Sequence, residues 1–252
     1  GPYTVENLDP GRAIIYKRNP NYWAKNLPVM RGQQNFDRMR YDMYRDENVA
    51  LEAFKSGAYD FRREFVARNW AMAYDHPAVK DGRIVKKNIP DNSPQGMQGF
   101  VFNTSRPALS DRRVREAIAL AMDFEWLNKT IFYGAYTRNR SFFGNTDCEA
   151  KGKPSKEELA LLEPYRDILP PALFDGEFTP PKTDGLGNPR ENLLKAQALL
   201  NEAGWTVVDG KRMKDGKPLT LEFMLRQPTM ERVIGPMRSE ERRVGKECLR
   251  LC

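Results

Sequence analysis

Histidine and cysteine are scarce in this 252-residue chain, which contains one histidine, His76, and three cysteines. A histidine-dependent catalytic triad or a histidine-rich metal site needs partners that the chain does not supply. Cys148 lies alone in the body of the sequence, and Cys248 and Cys252 lie at its end. This spacing indicates neither a disulfide framework nor a zinc site, so we expect no metal and no cofactor.

The familiar sequence signatures of hydrolases are also missing. The chain has no Gly-x-Ser-x-Gly nucleophile elbow, no His-Glu-x-x-His zinc motif and no glycine-rich phosphate-binding loop. The sequence therefore favours a protein that is not an enzyme. A secreted, glycosidase-like hydrolase remains an alternative, because two carboxylates suffice for sugar hydrolysis and the chain has 34 acidic residues.

Long apolar runs are absent, and no stretch approaches the roughly 20 residues that a transmembrane helix needs. No signal-peptide pattern opens the sequence either. Hydrophobic residues nevertheless make up 40% of the chain, which is enough to build the core of one or two domains.

The net charge of +7 comes from 41 basic and 34 acidic residues, and it raises the question of a polyanionic partner. The basic residues are spread along the chain rather than gathered into an arm or a helical stripe. This distribution predicts a solvated basic surface, so we expect no nucleic-acid partner. A nucleic-acid binder stays an alternative that rests on charge alone.

The most informative stretch is Gly99–Ser141, whose second half predicts two helices in tandem. Ser110 or Asp111 is expected to cap the first helix, and Asp123 the second, which ends at Gly134. The apolar residues of the first helix recur at helical spacing, at Val114, Ala117, Ile118, Ala121 and Met122.

Several segments predict β-strands. Tyr3–Lys17 indicates a hairpin around Asp9-Pro10-Gly11. The alternation of Met39, Tyr41 and Met43 predicts a half-buried strand, followed by a helix over 47–56 and a strand over 59–61. This order is typical of a βαβ unit in a partly parallel sheet. Further strands are predicted over 83–89 and, as a buried one, over 100–102.

The final third of the chain alternates loops with helices and short strands. Residues 151–191 are rich in proline, which predicts a surface arm with a short helix over 156–162. A second helix is predicted over 192–203, stopped by Gly204. Asp209-Gly210 and Asp215-Gly216 then indicate the turns of a meander that ends over 219–225.

Three of these motifs resemble the family 5 extracellular solute-binding proteins, the peptide-binding receptors of bacterial ABC importers. They are GPYTVENLDPGRAIIYKRNPNYW at the start, ALEAFKSGAYDF, and NTSRPALSDRRVREAIALAMDFEWL followed by Tyr-Gly. The resemblance implies an α/β fold like that of type II periplasmic binding proteins, two-lobed and incomplete in this chain. It is closest to the branch that imports oligopeptides and microcin C.

The resemblance also implies a domain organisation and partners. Residues 1–98 would form part of a first lobe and 99–237 part of a second, with ligand bound in the cleft between them. The expected partners are a peptide and the membrane permease subunits of an ABC transporter, and the receptor would be a periplasmic monomer. Nickel, haem or a glycan stays open as the ligand, because related receptors carry these.

The ends of the chain carry two further expectations. Since Gly1-Pro2-Tyr3 resembles mid-family sequence, we expect the chain to be a fragment of a longer protein. Residues 238–252 begin with RSEERRVGKEC, which resembles the translation of a common sequencing adapter. We therefore expect this tail to be foreign to the natural protein.

The first group of candidate ligand-binding residues is Arg62, Arg63 and Glu64, which directly follow the predicted strand 59–61. Ligands in open α/β folds bind beyond the carboxyl ends of strands, although a solvated charged turn would have the same composition. The predicted helix over 67–74 adds Asn69 and Trp70 to the candidates.

The second group lies around and beyond the tandem helices. Gln98 and Phe100 lie where the resemblance implies that the chain crosses from the first lobe to the second. Tyr136, Arg138 and Arg140 belong to YTRNRSFF, which alternates aromatic and basic side chains. Such a surface suits a peptide, with aromatic faces for side chains and guanidinium groups for carboxylate, although packing of the aromatic rings would explain the same pattern.

Overall fold

The computed structural model describes the backbone of residues 1–225, 230–244 and 249–251, and the side chains of these residues up to Met237, Asp175 excepted. The chain divides into two compact units. The first consists of Gly1–Glu64 and Asp75–Lys86, and the second of Phe65–Tyr74 and Lys87–Cys252. The expected lobe boundary between residues 98 and 99 concerns the complete protein and stays a prediction.

The first unit contains a three-stranded antiparallel sheet in the order β1-β2-β3 and two helices. The hairpin predicted around Pro10 is confirmed, and Gly11 takes the left-handed backbone conformation (φ +76°) that its turn requires. The elements are β1 (Tyr3–Asp9), β2 (Ala13–Arg18), β3 (Arg38–Asp42), α1 (Glu47–Lys55) and α2 (Pro77–Lys80).

The helix ends of the first unit follow from capping. Asp46 caps α1, since its carboxylate accepts hydrogen bonds from the backbone N–H groups of Asn48 and Val49. His76, predicted to lie in a surface turn, caps α2 by accepting from the N–H of Ala78 through Nδ1. The single histidine of the chain therefore has a local structural role.

The predicted βαβ unit is wrong for the described part of the chain. Residues 59–61 form no strand; instead, Tyr59 donates a hydrogen bond of 2.7 Å from its hydroxyl to the carbonyl of Ala50 and packs on Phe54. The segment is thus held against α1 by its side chain rather than by a strand ladder. The half-buried face predicted for β3 is also incorrect beyond Met39, because Tyr41 and Met43 are exposed.

The strands predicted over 83–89 and 100–102 are likewise irregular backbone. Val101, expected in a buried strand, is 97% exposed, and Val85 and Ile89 are exposed as well. A strand exists only where a second backbone completes its hydrogen bonds, and the described residues offer these segments no such neighbour.

The second unit is mainly helical, with two small sheets. It begins with a π-helical turn at Asn69–Ala73. Its α-helices are α3 (Pro107–Ser110), α4 (Arg112–Leu120), α5 (Phe124–Thr130), α6 (Lys156–Leu162), α7 (Ala172–Asp175), α8 (Arg190–Glu202) and α9 (Glu231–Val244). Its strands are β4 (Thr206–Val208), β5 (Lys211–Lys214), β6 (Lys217–Pro218), β7 (Leu221–Phe223) and β8 (Leu249–Leu251).

The core of this unit forms where α4 packs against α8. Val114 is fully buried and Ala117 nearly so, as the apolar spacing predicts, and Ile118 and Ala121 pack at the edge of the same cluster. The buried members of the cluster are Val114, Ala117, Leu193, Ala196, Leu200, Ala203, Trp205 and Leu219. Small residues on both helices allow the two backbones to approach closely.

Three basic side chains donate to backbone carbonyls at the C-terminal end of α8 and just beyond it. Arg113 donates to the carbonyl of Glu202 (2.7 Å), Lys214 to that of Ala203 (2.7 Å) and Arg212 to that of Trp205 (2.8 Å). The last carbonyls of a helix lack partners within the helix and carry partial negative charge, so cations are favoured there. These bonds join α4, α8 and β5 into one assembly.

The small sheets complete the second unit. β4, β5 and β6 form an antiparallel meander with the two predicted turns, which place Asp209, Gly210, Asp215 and Gly216 at positive φ. Its third strand is Lys217–Pro218 rather than the predicted 219–225. The backbone of β7 pairs in parallel with β8. The expected foreign origin of residues 238–252 stays a prediction. In the described part of the chain, none of the helices combines the length and apolarity needed to cross a bilayer.

The loop after α5 is fixed by a single side chain. The side-chain amide of Asn128 accepts from the N–H of Tyr136 (3.1 Å) and donates to the carbonyl of the same residue (2.7 Å). Tyr133 and Gly134 reverse the chain at positive φ, as the predicted stop at Gly134 requires. Asn128 therefore pairs with the returning backbone as a β-bridge partner would, and it sets where residues 136–138 lie.

We expect replacement of Asp111 by asparagine to destabilise the chain at pH 7 by less than about 1 kcal/mol, because asparagine still caps α4 but loses the ion pair with Arg113. That pair lowers the pKa of Asp111 to about 2. Since the folded-state pKa is depressed, the contribution is present above about pH 4 and lost as pH falls towards 2. Urea unfolding at pH 7 and pH 2.5 measures both; a difference at pH 2.5 that is as large as the one at pH 7 contradicts the assignment.

We expect Asn128→Ala to destabilise the chain by about 1–2 kcal/mol, because two hydrogen bonds to Tyr136 are lost. Amide hydrogen exchange at Tyr136 should accelerate more than exchange in α4. Asn48→Ala is the matched control, since Asn48 is an exposed helical asparagine whose replacement gives the same gain in helix propensity. Equal exchange rates at Tyr136 in the two variants would refute this role of Asn128.

Candidate functional site

A surface pocket of about 630 Å³ lies in the second unit, between α5 and the loop that follows it. Its volume falls within the range of small-ligand sites. Two of the predicted site residues, Tyr136 and Arg138, are in its wall. The complete lining is Phe124, Glu125, Asn128, Lys129, Tyr133, Gly134, Tyr136, Thr137 and Arg138.

The helical side of the pocket comes from one face of α5. Positions 124, 125, 128 and 129 repeat at helical spacing and therefore lie on the same side of the helix. The opposite face carries Leu127, which is almost fully buried in the second unit. Burial of Leu127 thus fixes the rotation of α5 and turns Phe124 and Glu125 towards the loop.

Arg138 is the central charged group of this pocket. Its guanidinium carbon lies 5.1 Å from the centre of the Phe124 ring, in cation–π geometry. Its Nη1 is buried, yet it donates to no acceptor among the residues that the structure describes. Burial lowers the pKa of Arg138, and the charge of Glu125 offsets part of this effect. A buried cationic donor in this setting is stabilised strongly by an anionic acceptor.

Glu125 forms no ion pair with Arg138, and its carboxylate is bonded to Thr183 instead. Its Oε2 accepts the backbone N–H of Thr183 at 3.1 Å. The Thr183 hydroxyl lies 2.5 Å from Oδ1 of Asp123 and 3.1 Å from Glu125, and Gly185 donates its N–H to the same hydroxyl oxygen. The carboxylate of Glu125, the only one in the pocket lining, is therefore bonded to Thr183.

Tyr136 is positioned from three directions. Asn128 holds its backbone, the ring of Phe132 meets its ring edge-on at 4.6 Å, and its hydroxyl donates to the carbonyl of Phe65 at 3.3 Å. The side chain nevertheless remains partly exposed in the wall of the pocket. Tyr136 therefore offers a rigid aromatic surface beside Arg138.

The first predicted group is organised differently, within the first unit. The Arg62 side chain is only 8% exposed and pairs with Glu47 (3.1 Å) and Glu64 (3.2 Å). It also donates to the hydroxyl of Tyr59 at 3.1 Å. Burial alone would lower the pKa of Arg62, but these hydrogen bonds raise it above the ordinary value. Arg62 thus holds the segment after α1 in place.

The remaining members of that group differ in exposure. The Glu64 side chain is 3% exposed and is held by Arg62, whereas Arg63 is exposed. Asn69 and Trp70 lie in the π-helical turn of the second unit, where Trp70 meets Tyr74 edge-on with ring centres 6.2 Å apart. Both are half-buried.

Three predicted residues of the second unit lie outside the pocket lining. Gln98 is exposed, and Phe100 packs edge-on against Phe223 with ring centres 5.4 Å apart. Arg140 pairs with Glu177 at 3.1 Å. The structure therefore brings together only Tyr136 and Arg138 of the ten predicted residues in this pocket, and a ligand contact of any of the ten stays a prediction.

The sequence interpretation missed the helical half of the pocket, Phe124, Glu125, Asn128 and Lys129. The available signal was the polar face of α5, which recurs at the same spacing as its buried face. The described residues contain no group of three or more histidine, cysteine, aspartate or glutamate side chains arranged to hold a metal ion.

The charges of the pocket lining determine what it can accept. The lining carries one acidic side chain, Glu125, and two basic ones, Lys129 and Arg138, so its net charge is +1. The ring of Phe124 lies against the guanidinium, and the ring of Tyr136 lines the same pocket. A pocket with these walls can receive an anionic group attached to an apolar or planar body.

Solved structures share the fold of the whole chain. NikZ from Campylobacter jejuni in complex with Ni(L-His) matches with a TM-score of 0.66 at 19% identity. AppA from Bacillus subtilis in complex with a nonapeptide matches with a TM-score of 0.62 at 17% identity. Each match covers 100% of this chain and 42% of the other. The expected fold, that of type II periplasmic binding proteins, is confirmed.

The sequence comparisons give the family. The chain is 45% identical over 247 residues to YejA of Escherichia coli (strain K12), covering 97% of this chain and 41% of YejA. It is 40% identical over 243 residues to the peptidoglycan-binding protein YepA of Agrobacterium fabrum (strain C58 / ATCC 33970), covering 92% and 39%. The chain thus spans about two fifths of the length of these relatives. The model of the bacterial extracellular solute-binding proteins, family 5 middle, matches residues 1–245, and the chain belongs to this family.

Proposed function

We propose that this chain is part of the substrate-binding component of an ABC importer, which takes up oligopeptides in the periplasm and delivers them to membrane permease subunits. We use "complete receptor" for a protein of the length of the curated relatives that contains these residues. The observation that carries the proposal is the match of residues 1–245 to a family of extracellular solute-binding proteins. The Arg138 pocket supports a binding role, because it presents a guanidinium and aromatic surfaces.

The proposed mechanism is closure of two lobes over the ligand. A ligand shifts the balance between open and closed states only by the difference between its affinities for them. Contacts with both lobes supply that difference, because they form together only on closure. The proposed contacts are Arg62, Arg63, Glu64, Asn69, Trp70, Gln98, Phe100, Tyr136, Arg138 and Arg140.

Peptides suit this chemistry better than the alternatives. Backbone hydrogen bonds hold an extended peptide of varied sequence, while pockets and water accommodate its side chains. AppA, which shares the fold, was solved with a nonapeptide, and YepA is named as peptidoglycan-binding. Nickel is the competing ligand, since NikZ was solved with Ni(L-His). A glycan, haem or microcin C-like ligand is a further outcome that the first experiment distinguishes.

The proposal includes three expected absences in the complete receptor. It should have no enzymatic activity, form no functional complex with nucleic acid, and act as a monomer. A glycosidase or peptidase would consume a bound substrate, whereas a receptor releases it unchanged. Recovery of intact ligand after long incubation therefore separates the receptor from the hydrolase alternative.

We expect the complete receptor, purified without refolding, to retain peptides that mass spectrometry identifies after denaturation. Adding such a peptide to ligand-free, refolded receptor at about 100 times its dissociation constant should stabilise the fold by about 2.7 kcal/mol, because only the folded state binds. Thermal unfolding with and without peptide measures the shift. Recovery of nickel, haem or glycan instead of peptide would overturn the peptide assignment while leaving the receptor class intact.

Alanine replacements of the four candidate arginines in the complete receptor should differ in whether they lower the stability of the fold or the affinity for peptide. We expect Arg62→Ala to destabilise the fold by about 3–5 kcal/mol, because it removes the ion pair between Arg62 and the buried side chain of Glu64. Replacement of at least one of Arg63, Arg138 and Arg140 by alanine should lower the affinity for peptide tenfold or more, which corresponds to about 1.4 kcal/mol of binding free energy. Urea unfolding and calorimetric titration measure the two effects. If all four variants keep their affinity within tenfold, the proposed contacts are wrong.

A further inference from the structure

Arg138 and Arg166 of the second unit each stack on a phenylalanine ring, but their guanidinium groups differ in their ion-pair partners. Arg166 lies 4.1 Å from the centre of the Phe174 ring. Its Nε and Nη2 each donate to the carboxylate of Glu163 at 2.8 Å. The chain therefore shows a complete arrangement, in which an aromatic face covers one side of the guanidinium and a carboxylate pairs with its edge.

Arg138 reproduces only the aromatic half of this arrangement. It stacks on Phe124, but no carboxylate among the described residues lies within ion-pair distance of it. The adjacent acid, Glu125, is held by Thr183. The planar edge of a guanidinium matches the two oxygens of a carboxylate, and such bidentate pairs are the strongest ion pairs at partly buried sites. What Arg138 lacks is the group that Glu163 provides to Arg166.

The charge of the pocket selects the kind of anion. With Glu125, Lys129 and Arg138 as its charged residues, the lining has a net charge of +1. One carboxylate neutralises this charge, whereas a phosphate dianion would leave an excess negative charge beside Glu125. The partly buried setting strengthens a single well-placed pair, since it excludes solvent that would screen the charges.

We propose that the pocket formed by α5 and residues 133–138 is a selectivity pocket for one carboxylate of the ligand, bound by Arg138. The inference rests on the proposed function and adds the chemical class of peptide that is preferred. The carboxylate belongs either to an aspartate or glutamate side chain or to the free C-terminus of the peptide. Tyr136, fixed by Asn128, and Phe124 flank the group that carries it.

The test uses the complete receptor and four pentapeptides titrated calorimetrically. They are Ala-Ala-Glu-Ala-Ala and Ala-Ala-Gln-Ala-Ala, each with a free or an amidated C-terminus. If Arg138 binds a side-chain carboxylate, replacing glutamate by glutamine lowers affinity at least tenfold. If it binds the terminus, amidation has that effect. Because these four titrations all use the wild-type receptor, their result does not depend on whether a variant folds.

The variants assign the preference to the pocket. In Arg138→Gln the tenfold discrimination should fall to within about twofold, and in Arg138→Lys it should be intermediate, because the charge remains without the bidentate edge. Arg166→Gln is the matched control, since it removes a stacked arginine that already has its carboxylate, and it should preserve the discrimination. Circular dichroism confirms that each variant is folded.

The outcomes separate the two proposals. If the wild-type receptor binds all four peptides within threefold of one another, the carboxylate pocket is refuted and the peptide receptor stands. If the Arg138→Gln variant keeps the tenfold discrimination, the role of Arg138 is refuted and the peptide receptor again stands. If the wild-type receptor binds none of the four peptides and retains no peptide on purification, the proposed peptide function is refuted together with the carboxylate preference that rests on it. If it binds none of the four but retains other peptides, only the carboxylate pocket is refuted.

Discussion

The packing of α4 against α8 is the interaction on which the second unit depends. Val114 and Ala117 enter the interface from one side and Ala196 and Leu200 from the other, so the helices exclude water along a continuous stripe. Three basic side chains then close the end of α8. α5 follows α4 directly, and its buried Leu127 fixes its rotation. One wall of the pocket is therefore a helix anchored by a buried side chain rather than a free loop.

Sequence reasoning succeeded for this part because its signals are local. A cap such as Asp111, an apolar spacing such as Val114 to Ala121, and a glycine stop each act within a few residues. The strand predictions failed for the opposite reason. Phe100–Phe102 has strand-forming composition, but a strand also needs a distant backbone to pair with, and composition does not say whether one is present. The segment 59–61 shows what happens instead of strand pairing, because the side chain of Tyr59 holds this segment against α1.

The candidate site shows a similar limit. Arg62 and Arg138 look alike in sequence, since each is a basic residue in a charged or aromatic segment. In the folded chain Arg62 is surrounded by acceptors, whereas Arg138 stacks on Phe124 without an acceptor in the described residues. The difference depends on Glu125 being held by Thr183, 58 positions further along the chain. No pattern confined to the loop could have revealed this.

The two arginines also illustrate how stability and binding compete for the same chemistry. A guanidinium that is paired within the chain, such as Arg62, contributes to the fold through those pairs. One that is partly buried and incompletely paired, such as Arg138, weakens the fold, because its charge has lost solvation without a full replacement. A ligand carboxylate would supply that replacement. The Nη1 of Arg138, unpaired among the described residues, is the group in this pocket that would gain such an acceptor, because Glu125 is bonded to Thr183.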